Sequence, residues 1–238
     1  EPGAVFSGAY GFTIKLHGLA GHGSRPDLAH SVLDCFVNIY NHMNTLRMKY
    51  VSPTDVLTFS VGIVNCGTAR NIVPDELTFG GSVRTFNVAG AGTPFMEHFM
   101  EIVKKECELC QCTYEIVYMR DPLFECYNNP ACSKIARDAV KKYIGEDAVT
   151  TTAPWMASES MQAYLKYWPG VITFTGIQSE ETGSGANHHT PEFDVDERGM
   201  IYGTAAALGY VKDFLDYEGE IPFTPFDGTL ENLSLIHI

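Results

Sequence analysis

Between residues 11 and 119 the hydrophobic pattern switches repeatedly between the period of a strand and that of a helix, and this succession restricts the fold more than any other feature. "GFTIKLHG" (11–18) sets Phe12, Ile14 and Leu16 against Thr13, Lys15 and His17, the alternation of a half-buried strand. "AHSVLDCFVNIYNHMNTL" (29–46) places Val32, Cys35, Phe36, Ile39, Tyr40 and Met43 on one helical stripe. "DVLTFSVGIVNCG" (55–67) reads as a strand ending at Gly67, and "DELTFGGSVRTF" (75–86) alternates again as its partner. "TPFMEHFMEIVKKECELC" (93–110) predicts a helix with Thr93 as N-cap and Pro94 in its first position, and "CTYEIVYM" (112–119) a further strand. The order βαββαβ is that of a ferredoxin-like α+β sandwich, four strands with two helices on one face. Such a sheet leaves an edge and a face to cover, so the segment is expected to dimerise through the strand at 75–86 or the helix at 29–46.

The texture changes near Asp121-Pro122. "NPACSKIARDAVKKYIG" (129–145) predicts a helix stopped by Gly145, and "SESMQAYLKYW" (158–168) a short one. "GVITFTGI" (170–177) is an almost wholly apolar run, expected to be a strand covered on both faces. "TPEFDVDERGMIYGTAAALGYVKDFL" (190–215) leads into a long helix. This half reads as a covered α/β layer. The segments are then 1–8, 9–118 and 119–238.

Composition narrows the partners. Sixteen Lys and Arg against 29 Asp and Glu give a net charge of −13, which argues against a nucleic-acid backbone or an anionic membrane and favours plain solubility. No apolar run reaches the length of about 18 residues that spans a bilayer. Seven cysteines in a chain of 238 residues suggest a reduced, cytoplasmic protein rather than a disulfide framework. Cys107, Cys110 and Cys112 are spaced like a zinc knuckle, but no second Cys/His pair lies near in sequence, and buried thiols account for them as well. The opening "EPGAVFSG" looks cut from a longer chain, and the closing "LSLIHI" looks foreign, so His237 is given no role.

Two stretches could carry chemistry. "GLAGHGSRPDLAHS" (18–31) holds His22 between two glycines. "GANHHTPEFDVDE" (185–197) holds His188 and His189 after a glycine-rich loop; on an extended chain the two side chains would point opposite ways, so one could ligate a metal and the other stack or face solvent. Arg84, near a strand end, could grip a carboxylate with both prongs of its guanidinium or merely join a surface ion pair. Asn71 sits in a turn, where Asn is ordinary, and Ser158-Glu159 opens a helix, where Ser and acidic residues are common.

Taken in order, "GHGSRPDLAHS", "NIVPDELTFGGSVRTF", "MASES" and "NHHTPEFDVDE" resemble the aminoacylase-like and carboxypeptidase G-like zinc metallopeptidases, most of all their amidohydrolase branch, over roughly residues 1–215. The resemblance implies an α/β catalytic half-domain with an inserted α+β ferredoxin-like dimerisation (lid) domain. It implies hydrolysis of an amide bond in N-acyl amino acids or small peptides by a homodimer using two divalent metal ions, zinc first and manganese or cobalt otherwise. His22 takes the place of the histidine that reaches the partner's active site and hydrogen-bonds the scissile carbonyl oxygen. Asn71 and Arg84 match substrate-binding positions and His189 the C-terminal metal ligand, with Glu159 and His188 beside the ligands. Ser160 stands where that branch usually has aspartate. The remaining ligands and the catalytic glutamate of the family precede the inserted domain, so the chain resembles a C-terminal half that would be inactive alone. A different class stays open: a non-catalytic dimerisation module, or one that binds a small acid through Arg84.

Overall fold

The alternation at 11–18 belongs to a ten-residue strand. In the computed structural model, which describes residues 1–120 and 122–227, β1 (Gly3–Phe6) precedes β2 (Gly8–His17), whose Tyr10, Phe12, Ile14 and Leu16 are buried while Thr13, Lys15 and His17 are half-exposed on the other face. Asp121, His237 and the "LSLIHI" tail lie outside the described residues. The short strand β3 (Gly21–His22) leads to helix α1 (Val32–Tyr50), which starts three residues later than the apolar pattern because Ser31 accepts the Asp34 backbone N–H and so caps it. Its Val32, Cys35, Ile39, Met43 and Leu46 face the core, whereas Tyr40 stays exposed.

Strands β4 (Leu57–Cys66), β5 (Ile72–Val73) and β6 (Glu76–Thr85) follow. Then come helix α2 (Thr93–Leu109) and strand β7 (Thr113–Met119). The four long strands pair antiparallel in the order β4-β6-β2-β7, the ferredoxin-like arrangement expected from βαββαβ. Gly81 lets β4 come close, since a Cβ there would run into the Ser60 carbonyl oxygen. Two expectations fail. Thr93 is not a cap: a π-helical turn over Val88–Gly92 precedes it, with Asn87 accepting from Gly90 N–H, and the Thr93 hydroxyl bonds Tyr10 instead. The strand at 75–86 offers no free edge, because β6 lies between β4 and β2; the edges are β4 and β7.

Helices α1 and α2 cover one face of the sheet. Phe12 meets Phe99 at 4.9 Å between ring centroids and Phe36 meets Phe79 at 5.0 Å, in a core that also holds Ile14, Leu77 and Val103. The opposite face is polar, with Lys15 paired to Glu76 at 2.8 Å and Ser60 beside Ser82. This compact unit comprises residues 6–126 and also takes in 155–162, where Ser7 N–H donates to the Trp155 and Ala157 carbonyls.

The other unit comprises residues 1–5, 127–154 and 163–227. Strand β8 (Cys126–Asn128) forms a two-stranded sheet with β1. Helix α3 (Pro130–Tyr143) is capped by Asn129 and ends at Gly145, whose φ of 144° needs glycine. Helix α4 (Met161–Leu165) is short, and α5 (Arg198–Leu215) packs on α3. The apolar run 170–177 is a correction: it forms no ladder among the described residues, and Phe174 is 37% exposed. Its ends are tied by the Asn129 N–H to Gly170 O and the Asp196 N–H to Ile177 O, and its middle by a side chain. The amide of Asn128, 1% exposed, accepts from Ile172 N–H at 2.8 Å and donates to Ile172 O at 2.9 Å and Glu1 O at 3.1 Å.

Removing that amide strands buried backbone groups. Asn128→Ala is expected to lower stability by about 2–4 kcal/mol in denaturant titration, whereas a change under about 0.5 kcal/mol would show that Asn128 does not hold the segment.

Candidate active site

His22 owes its position to a two-residue ladder. Gly21 pairs with Val73 and His22 with Ile72, and Gly23 N–H donates to the Asn71 carbonyl at 2.8 Å. A Cβ on Gly23 would sit 3.1 Å from that oxygen, so glycine suits this close approach. A tight turn follows, closed by Arg25 N–H donating to His22 O at 2.8 Å and stiffened by Arg25 gripping Asp27 through Nε at 2.9 Å and Nη2 at 2.8 Å. The guanidinium holds the Asp27 carboxyl below the usual carboxylate range.

The turn also sets the imidazole. Ser24 N–H donates to His22 Nδ1 at 3.2 Å, and the Ser24 hydroxyl lies 2.8 Å from the same nitrogen. Because Nδ1 accepts, the neutral ring must carry its proton on Nε2. His22 is exposed, so Nε2–H is a hydrogen-bond donor presented outward on a short, hydrogen-bonded turn. A neutral donor of this kind can stabilise negative charge that develops on a carbonyl oxygen.

Arg84 belongs to a different place. It is half-buried near the far end of β6, and its Nη1 donates to Ser158 Oγ at 2.9 Å. Beside it, Glu159 accepts the Met161 backbone N–H at 2.9 Å and the Ser160 hydroxyl at 3.2 Å, so its carboxylate caps α4. Asn71 precedes β5, and Arg84 is the last residue but one of β6. From Glu76 to Arg84 is eight residues of extended strand, roughly 26 Å at about 3.3 Å per residue. One chain therefore brings together His22 with Asn71, and separately Arg84 with Ser158 and Glu159. It does not bring His22 to Arg84.

His188 and His189 lie in the other unit, both exposed. The backbone is not extended there, against expectation: His189 adopts φ 63°, the left-handed region that non-glycine residues rarely enter, because the chain turns before α5. His188 packs on Phe193 at 5.0 Å between ring centroids. The segment that follows is clamped by Arg198, whose Nε and Nη2 reach Asp196 at 2.6–3.0 Å and hold that carboxyl near about 2. Among the described residues no three His, Cys, Asp or Glu side chains converge as a metal would require. His189 is a single donor, and a catalytic metal needs about three protein ligands, which do not come together among the described residues.

Sequence reasoning gave Ser24 no role and read Ser158 only as the opening of a helix, not as the partner of Arg84. Ser24 was legible in principle, because a Ser two residues after a His is placed to bond its ring. The bond between Ser158 and Arg84, 74 residues apart, was not.

Compared with known proteins, residues 6–109 match the family model M20_dimer, described as a peptidase dimerisation domain. The chain is 27% identical over 218 residues to an IAA-amino acid hydrolase, ILR1-like 2, of Arabidopsis thaliana, covering 89% of the chain and 49% of that protein. It is 26% identical over 206 residues to thermostable carboxypeptidase 2 of Saccharolobus solfataricus, covering 86% of the chain and 51% of that protein. In fold it is similar to the Bacillus subtilis YXEP protein, described as a dinuclear metal binding peptidase from the M20 family. The TM-score is 0.69 at 16% identity, with 90% of the chain and 52% of that protein covered. The chain thus spans about half the length of the curated relatives it matches. Among the described residues no helix is long and apolar enough to cross a membrane.

The turn geometry makes a spectroscopic prediction. In nitrogen-15 spectra of the neutral ring, His22 is expected as the Nε2–H tautomer, and Ser24→Ala should shift the population toward Nδ1–H. A dominant Nδ1–H form in the unaltered chain would remove the outward donor.

Proposed function

We propose that the whole protein hydrolyses the amide bond of N-acyl amino acids or small peptides, a reading supported by the match of residues 6–109 to a peptidase dimerisation domain and by the similarity of the chain to an IAA-amino acid hydrolase and a carboxypeptidase. The observation that carries the reading is the placement of His22 at one end of the β5–β6 run and Arg84 at the other. A substrate the size of an N-acyl amino acid cannot touch both in one chain. It can do so where two protomers meet, His22 coming from one and Arg84 from its partner. His22 Nε2–H then donates to the scissile carbonyl oxygen as charge develops there, a contribution worth a few kcal/mol in comparable sites. The Arg84 guanidinium, poised by Ser158, receives the substrate carboxylate. Asn71 lies within the His22 element and so acts on the same side of the substrate as His22, not beside Arg84.

In this reading the ferredoxin-like unit is a lid inserted into an α/β catalytic domain and makes a homodimer. The outer side of α1, where Leu33, Val37 and Tyr40 are exposed, and the free edge of β4 are the surfaces suited to it. His189 serves as one ligand of a centre of two divalent ions, zinc first and manganese or cobalt otherwise. His188 and Glu159 keep the positions beside the metal ligands that the motif resemblance assigns to them. Seven free thiols suit a reducing, cytoplasmic setting.

The test is release of free amino acid from N-acetyl and N-benzoyl amino acids by the whole protein supplied with zinc, manganese or cobalt. Arg84→Ala is expected to raise KM about tenfold or more for substrates with a free carboxylate, and to leave carboxamide analogues nearly unaffected. Absence of metal-dependent release would contradict the proposed reaction, and equal losses on both substrate types would remove Arg84 from carboxylate recognition.

A further inference from the structure

Four of the seven cysteines converge in the core between α1 and the end of α2, and none of them is among the residues assigned to hydrolysis. Cys35 on α1 and Cys107 on α2 are 0% and 2% exposed, and their sulfurs lie 3.8 Å apart. The chain folds the other two thiols back toward this pair. Gln111 takes φ 55° after α2, and Cys112 N–H returns to Cys107 O at 2.8 Å, closing the helix with a left-handed cap. The Cys110 and Cys112 side chains both interact with Cys35, and Cys110 is half-exposed, the way in from solvent.

We infer that Cys35 and Cys107 form a reversible disulfide that latches α1 to α2, with Cys110 as the entry thiol for a small disulfide oxidant. The Cys110 thiolate attacks the oxidant RS–SR; its S–S bond breaks, one RS⁻ leaves and takes up a proton, and Cys110 carries a mixed disulfide. Cys35 attacks the Cys110 sulfur, releasing the second RS⁻. Cys107 then attacks Cys35 and frees Cys110. Two protein thiols lose two electrons and two protons, and RS–SR becomes two RSH. No metal is needed, and among the described residues no metal-holding cluster is present.

The surroundings make the latch slow at neutral pH. Burial first, and then the nearby Cys35, Glu106 and Asp34, push the Cys110 thiol up to about 11; Cys112 likewise sits at about 11. The neighbouring groups on α1 and α2 are Cys35, Asp34, Cys107, Glu106 and His42, the last paired to Glu106 at 3.0 Å. Thiolate, the reactive form, is therefore scarce at pH 7 and rises about tenfold per pH unit up to that value.

The experiment incubates the whole chain with glutathione disulfide at pH 7 and pH 9, denatures it, counts thiols and maps bridged peptides. The count is expected to fall by two, from the seven cysteines of the chain, with a single Cys35–Cys107 bridge and formation about a hundredfold faster at pH 9. The unfolding temperature should rise by roughly 5 °C or more and return on reduction. Cys110→Ser should slow bridging at least about tenfold without preventing the fold, since that side chain is half-exposed. Seven remaining thiols, a bridge to another cysteine, or unchanged bridging in Cys110→Ser would overturn the latch or its entry route.

Discussion

The position of β6 inside the sheet is the constraint on which the rest depends. Antiparallel pairing with β4 on one side and β2 on the other fixes its register over its whole length, from Glu76 to Thr85. Its buried side chains Leu77, Phe79 and Val83 lock that register, because a slip by one residue would turn them to the polar face. The strand is thus a rigid spacer. Arg84 is carried at one end, and the β5 segment that pairs with His22 precedes the other. A stiff strand of this length cannot bend to bring both to one small molecule.

The His22 element shows how little structure a donor needs when each backbone group has a partner. Two paired residues, one glycine contact with Asn71 and a serine that bonds the ring fix the orientation of the imidazole. An acceptor at Nδ1 makes Nε2 the donor without any charged partner, and a neutral donor leaves the ring free of the desolvation cost that a charged one would carry on closing over substrate.

The sheet unit was legible because its signal is local. Periods of two and 3.6 residues fixed four strands and two helices, and these left one sheet topology in keeping with the helices on one face. The failures came where tertiary contacts outvote local pattern. Thr93 looks like a cap, but Tyr10 takes its hydroxyl and a π-helical turn over Val88–Gly92 runs into the helix. The run 170–177 looks like a strand, but pairing needs neighbours, and here the Asn128 amide stands in for one. The motifs around His22, Arg84, Glu159 and His189 were readable as residue types in order. Their separation into distinct places was not, because spacing in sequence does not show which strand a segment will join. The approach of Cys35 to Cys107 was invisible for the same reason, with 72 residues between them.

A site shared between protomers is tested most directly by mixing two whole-protein variants, His22→Ala and His189→Ala, each inactive by itself, and allowing subunits to exchange. A heterodimer of the two contains one site with an intact His189 and an intact His22 from the neighbouring chain. Activity is expected to recover toward about a quarter of the unaltered level, since half the dimers are mixed and each holds one complete site of two. No recovery after subunit exchange has been demonstrated would contradict the shared site and return His22 to the chain that carries it.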